Sequence, residues 1–181
     1  MKNFPKIETE RLFLTELKAK DISDIVKYAS NKNISDFTQN IPFPYSEKDA
    51  IFWINMANQG FENGNQYTFA IRLKEKDNFI GGIGIKIERK NNRAEIGYWI
   101  AEPFSGNGYA TEATKAILKF GFDNLNLNKF TSSHLANNPA SGQVLKNSGM
   151  KKEGELKEHI FKNSKYIDLI LFGLTKKQNV K

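Results

Sequence analysis

The run "EIGYWIAEPFSGNGYATEATKAI", residues 95–117, decides the fold of this 181-residue chain. Its first part alternates. Ile96 and Tyr98 share one side and Glu95 takes the other, which is the period of a strand. Its last part places Ala110, Ala113, Ile117 and then Phe120 at helical spacing, predicting a helix to about Phe122. Between them "SGNGYA", Ser105 to Ala110, is nearly stripped of side-chain bulk. The next strand signal is "KFTSSHL", Lys129 to Leu135. Strand, glycine turn, helix and strand form a βαβ crossover, whose two strands run parallel.

Upstream, "YTFAIRL" (Tyr67–Leu73), "FIGGIGIKIE" (Phe79–Glu88) and "RAEIGYWIA" read as an antiparallel meander, with "RKNNR" as a hairpin turn. Gly82 and Gly84 share one face of the second of these strands, which marks either a bend or close approach by another group. "RLFLTEL" (Arg11–Leu17) supplies an earlier strand. Helices follow from "DISDIVKYAS", capped by Asp21, and from "SEKDAIFWINMANQG", which opens on Ser46 and stops at Gly60. "NIPFPY" between them is a loop. Downstream, "NPASGQVLKNSG" is a short helix with Asn138 as cap, Pro139 in its first turn and Gly149 past its end. "LKEHIF" and "KYIDLILFGL" close the chain as strands. The class is α+β, with a mixed, mostly antiparallel sheet of about seven strands and about four helices.

The chain is long enough for a single domain, residues 1–181, with a core of its own. Hydrophobic residues at 39% and charged residues at 26% exclude a disordered chain and a membrane-embedded one. No apolar run nears the ~20 residues that span a bilayer. The start "MKNFPKIETERLFLTEL" lacks a signal-peptide core, so a cytoplasmic protein is expected. Cysteine is absent, which removes disulfides, thiolate metal sites and cysteine nucleophiles. No His, Asp and Glu cluster has metal-ligand spacing, so no metal is expected. The net charge of +7 suits an anionic partner or is simply spread surface lysine. The basic residues form no dense block interleaved with aromatics, which argues against nucleic acid.

The glycine turn suits a phosphate. A helix start offers about four unpaired N–H groups and a partial positive charge. Gly106 and Gly108 would let phosphate oxygens reach the N–H groups of Asn107, Tyr109 and Ala110. The pattern G-x-x-x-x-G-K-S/T is absent, and G-x-G-x-x-G would need glycine at Thr111. A tight turn with no ligand is the alternative.

"SGNGYATEA" after "EIGYWI", with "NNPASGQVLKNSGMKKEGE" downstream, resembles the GNAT acetyltransferase superfamily. Within it the chain is most similar to the RimJ/RimL branch of ribosomal-protein N-acetyltransferases. The resemblance runs from "TERLFLTEL" to "YIDLILFGL". The family signature Q/R-x-x-G-x-G/A falls on Ser105, Gly106, Asn107, Gly108, Tyr109 and Ala110, with Ser105 departing from the Q/R position. The resemblance implies that these residues bind the pyrophosphate of acetyl-coenzyme A, used as a cosubstrate. It implies a parallel pair splayed open between "GYWIA" and "TSSHL". The pantetheine arm would enter that gap against the main chain of Trp99, Ile100 and Ala101. An N–H near Ile100 would polarise the thioester carbonyl. An amine would attack the thioester directly, in a ternary complex, with no acyl-enzyme.

Glu95 matches the strand carboxylate that serves as base in several members, and a surface glutamate is the alternative. Ser141 stands at the serine of N-x-x-S, as acid to the departing thiolate or as a helix-start serine bonded to backbone. Asn138 would bind a pantetheine amide or act as a plain cap. Lys146 is a candidate for the phosphates and His134 an alternative base. Acceptor choice would lie around Phe37 to Trp53, where Phe43 and Tyr45 line a groove or form core, and Phe52 and Trp53 read as core. The acceptor is expected to be a primary amine, of a protein or peptide N-terminus or of a small molecule. A catalytically silent acyl-coenzyme A binder and a basic ribosome- or RNA-binding module are the competing readings, and oligomeric state stays open.

Overall fold

The computed structural model describes residues 3–179. The strands are β1 (Ile7–Glu8), β2 (Leu12–Glu16), β3 (Gln66–Leu73), β4 (Phe79–Glu88), β5 (Arg93–Ile100), β6 (Lys129–Leu135), β7 (Lys151–Lys162) and β8 (Lys165–Thr175). The helices are α1 (Ile22–Ala29), α2 (Lys32–Phe37), α3 (Glu47–Glu62), α4 (Tyr109–Asp123), α5 (Pro139–Asn147) and α6 (Lys176–Asn179). One eight-stranded sheet runs in the order β1-β2-β3-β4-β5-β6-β8-β7. Among the described residues only β5 and β6 pair in parallel.

The expected α+β class and meander are present. The additions are short or polar elements that carry little periodicity: the two-residue β1, the six-residue α2 and the four-residue α6. β7 begins at Lys151, ahead of the expected Leu156.

The parallel pair is joined for only part of its length. Its register holds at Arg93↔Lys129, Ala94↔Phe130 and Glu95↔Thr131, and then the strands diverge. Ser132 Oγ donates to the Ile96 carbonyl at 2.9 Å, the last bridge before the gap opens.

Strand alternation divides the sheet into two faces, each with its own core. On one, Ile83, Ile85, Ala94, Ile96 and Phe130 pack against Ala113, Ile117, Leu118 and Phe122 of α4 and Leu145 of α5. On the other, Ala70, Phe79 and Trp99 pack against Ile25 and Ala29 of α1 and Ala50, Ile54 and Ala57 of α3. Burying each large apolar side chain contributes ~1.5–3 kcal/mol, so these layers fix the direction of β5. Gly121 lets α4 lie close to β6, because a Cβ there would stand 2.2 Å from Phe130 Cζ.

Two expectations, for Asp21 and Phe52, are corrected, and of the two alternatives for Gly82 close approach holds. Asp21 makes no capping hydrogen bond to α1. It is buried against Arg72 of β3, Nη2 to Oδ2 2.7 Å, because a buried guanidinium needs a counter-charge more than a helix start needs a cap. Gly82 does mark a close approach, but by the protein itself: a Cβ there would stand 2.6 Å from the Trp53 ring. Phe52, expected in the core, is 68% exposed. The adjacent Trp53 takes the inward position, packing on Trp99 with ring centroids 6.1 Å apart.

Candidate active site

After β5 the chain makes a short 3-10 turn at Glu102–Phe104 and enters the glycine segment. Gly106 and Gly108 have φ of +79° and +80°, the left-handed region that favours glycine. Gly108 is the N-cap of α4 and provides no side-chain cap. Asn107 folds its amide back, donating to the carbonyls of Phe104 at 3.2 Å and Ser105 at 3.1 Å. A Cβ on Gly106 would meet no heavy atom within 4 Å. The turn is therefore open above Gly106, and its backbone fits an anionic diphosphate. Tyr109 and Ala110 form the first turn of α4, as the sequence predicts.

The turn is clasped from the far end of the sequence. Thr9 Oγ1 donates to Glu112 Oε1 at 2.6 Å, and the Arg11 backbone N–H donates to the same oxygen at 2.8 Å. Arg11 Nε donates to Glu112 Oε2 at 2.7 Å and Nη1 to the Asn107 carbonyl at 3.0 Å. Burial pushes the Glu112 carboxyl upward, but the bonds from Thr9 and Arg11 outweigh it and hold its pKa below the usual glutamate value.

Backbone direction decides what lines the gap. The Ile96 carbonyl faces β6, where Ser132 binds it. The Trp99 carbonyl lies at the Gly81 side of the ladder, towards β4. Ala101 donates to the Ile80 carbonyl at 2.8 Å and accepts from the Phe104 N–H at 2.9 Å, so both its groups are engaged. Backbone groups alternate along a strand. Tyr98 and Ile100 thus present N–H and C=O to the gap, whereas those of Trp99 and Ala101 are turned away.

Side chains divide the same way. Glu95, Gly97 and Trp99 lie on the α1–α3 face, and Tyr98 on the α4–α5 face. Glu95 is exposed, and a Cβ on Gly97 would meet nothing within 4 Å, so the sheet is uncovered there. On the opposite face the Tyr98 hydroxyl stands 2.9 Å from Ser141 Oγ and 3.0 Å from the Ser141 carbonyl. Burial pushes the Tyr98 pKa up to about 12, against the opposing pull of the bond to Ser141. His134 shares that face, its ring 5.6 Å from that of Phe172 and packed on Gly142. The sheet therefore separates His134 from Glu95. Lys146 lies with His134, Pro139 and Lys152 around a hollow of about 200 Å³.

Both ends of the Asn138 amide are used. Oδ1 accepts from the Ser141 N–H at 3.1 Å, and Nδ2 donates to the Phe37 carbonyl at 3.0 Å. That second bond belongs to a strap formed by α2 and the residues after it. Asn31 and Asn33 at the start of the strap donate to the Glu102 carboxylate, the latter at 2.9 Å. At its end Gln39 donates to Ser133 Oγ at 3.2 Å, and Lys162 to the Thr38 carbonyl at 2.6 Å. The strap crosses the splayed end of the β5–β6 pair.

Sequence reasoning passed over Arg11 and Tyr98. Tyr98 had a signal in its strand period, which sets it opposite Glu95. Arg11 had none, since it meets the turn across 96 positions.

Known proteins share this fold. The family description "Acetyltransferase (GNAT) domain" fits residues 11–151. The uncharacterized N-acetyltransferase p20 of Bacillus licheniformis is 32% identical over 171 residues, covering 94% of this chain and 96% of its own. The ribosomal-protein-serine acetyltransferase of Escherichia coli is 34% identical over 108 residues, covering 59% of this chain and 60% of its own. The structure of Mycobacterium smegmatis RimJ in complex with a coenzyme A disulfide superposes with a TM-score of 0.87, at 19% identity, over 98% of this chain and 90% of that one. The bare helix start, the parted parallel strands and these likenesses lead to one conclusion: the chain belongs to the GNAT acetyltransferases, enzymes that transfer an acetyl group from acetyl-coenzyme A.

Proposed function

We propose that residues 1–181 act as one cytoplasmic acetyltransferase domain of the RimJ/RimL type, whose acceptor is a primary amine, either a protein or peptide N-terminus or a small amine. The observation that carries this reading is the opening through the sheet after Glu95 and Thr131, with a bare helix start on one side and an exposed carboxylate on the other. The ribosomal-protein acetyltransferase among the relatives supports the branch.

In this reading Ser105 to Ala110 cradle the diphosphate with backbone N–H groups. The pantetheine arm lies along the gap-facing groups of Tyr98 and Ile100. The Ile100 N–H polarises the thioester carbonyl, stabilising the charge that develops there. The amine arrives on the α1–α3 face as an ammonium ion with no lone pair. Glu95 takes its proton through a water molecule. The C–N bond then forms as the C–S bond breaks, the sulfur leaves towards α5, and the nitrogen releases its second proton to water to give the neutral amide. A thiol of pKa ~8.5 leaves tolerably as thiolate. Ser141 gives that sulfur a hydrogen bond, and Asn138 holds the start of α5 in place.

A thiol-release assay over a panel of peptides with free N-termini, acetyl-blocked peptides carrying lysine, and small polyamines tests this. Release with free α-amines or polyamines, lowered about hundredfold in Glu95→Gln with acetyl-coenzyme A binding intact, is the expected result. Binding without release for every acceptor would leave a silent acyl-coenzyme A binder instead.

A further inference from the structure

We propose that Arg11 is a cosubstrate-binding residue whose free Nη2 donates to the diphosphate at a glycine turn that has no charged donor of its own. This rests on the reading of that turn as a diphosphate cradle.

The six residues of the turn, Ser105 to Ala110, carry no charge. A helix start alone contributes the equivalent of about half a charge. A diphosphate brings more negative charge than that can match. Arg11 stands at this point. Its Nη2 would lie 3.5 Å from a Cβ on Gly108, the N-cap residue, and its guanidinium carbon is 4.6 Å from the centre of the Tyr109 ring. Nε and Nη1 are committed to Glu112 and the Asn107 carbonyl, whereas Nη2 makes no hydrogen bond among the described residues.

The commitments have a purpose. The fork is held on Nε by a carboxylate whose own exposure is 16% and beneath by a ring, so the free edge is oriented before the ligand arrives. The Arg11 side chain is itself 44% exposed, which leaves that edge open to a ligand. The same contact neutralises Glu112, which would otherwise place an anion in the first turn of α4.

The test is calorimetric binding of three probes: coenzyme A, its 3′-dephospho form, which keeps the diphosphate, and pantetheine, which has none. Arg11→Gln is expected to weaken coenzyme A and dephospho-coenzyme A alike, by about tenfold, and to leave pantetheine unchanged. Placing the cation on the turn itself, as Arg11→Gln with Ser105→Arg, is expected to recover most of the loss. The proposal is overturned if Arg11→Gln binds coenzyme A as the parent does, if pantetheine weakens equally, or if the loss vanishes with dephospho-coenzyme A. Failure of Ser105→Arg to rescue overturns it too, by making Arg11 a staple for the turn. A parent protein that holds coenzyme A no better than pantetheine would instead sink the cradle itself.

Discussion

The hydroxyl of Tyr98, whose pKa burial raises to about 12, meets Ser141 Oγ at 2.9 Å. It holds the serine at the rim of the gap on the side where sulfur would leave. Tyr98→Phe is expected to lower kcat about fivefold, the factor of one lost hydrogen bond, with the Kd for coenzyme A unchanged. Steady-state kinetics beside Ser141→Ala checks this: in the Ser141→Ala background the tyrosine change should add nothing. Gly97 acts on the other face. Nothing lies within 4 Å of where its Cβ would be, and valine suits a strand, so Gly97→Val is expected to fold normally. Its bulk would stand between Glu95 and Trp99 and raise KM for the amine several-fold while sparing acetyl-coenzyme A. An unchanged acceptor KM would remove the acceptor from that face.

Among the elements, β3 and the start of α1 are joined by a charge pair that replaces a helix cap. Arg72 and Asp21 are 4% and 3% exposed. Arg72→Met leaves a buried carboxylate without its partner and is expected to cost ~3–5 kcal/mol in urea unfolding. The Glu112 clasp between the N-terminal strands and α4 carries a pH signature. Its folded pKa is depressed, so its stabilisation is complete above the unfolded value of ~4.3 and disappears as pH falls through the folded value. The melting temperature should decline more steeply below pH ~4 in the parent than in Glu112→Gln. The elements legible in the sequence are those with local causes. β5, α4 and β6 follow from periods of two and 3.6 residues, and the turn between them from glycines that end at positive φ. The features that were not legible join distant positions. Asp21 finds Arg72 across 51 residues, and Arg11 finds Asn107 across 96. α2 was missed because "KNISDF" has almost no apolar period, and its place is set by Glu102, Asn138 and the β7–β8 hairpin. The splay was expected from family likeness alone, since nothing local to Thr131 says that pairing stops there.

Across the whole molecule the sheet acts as a partition. The glycine turn, Tyr98 and Ser141 lie on one side, and Glu95 and Gly97 on the other, with the parting of β5 and β6 between them. The strap has a consequence for this opening. Paired backbone bounds it at Glu95 and Thr131, and the strap bounds it at the far end, tied to Glu102 on one flank and to Asn138 and Lys162 on the other. The opening is therefore bounded at both ends by protein. In the proposed reading a reacting nitrogen would have to enter between those two bounds, which would favour amines carried on projecting ends over amines fixed in the middle of a folded surface.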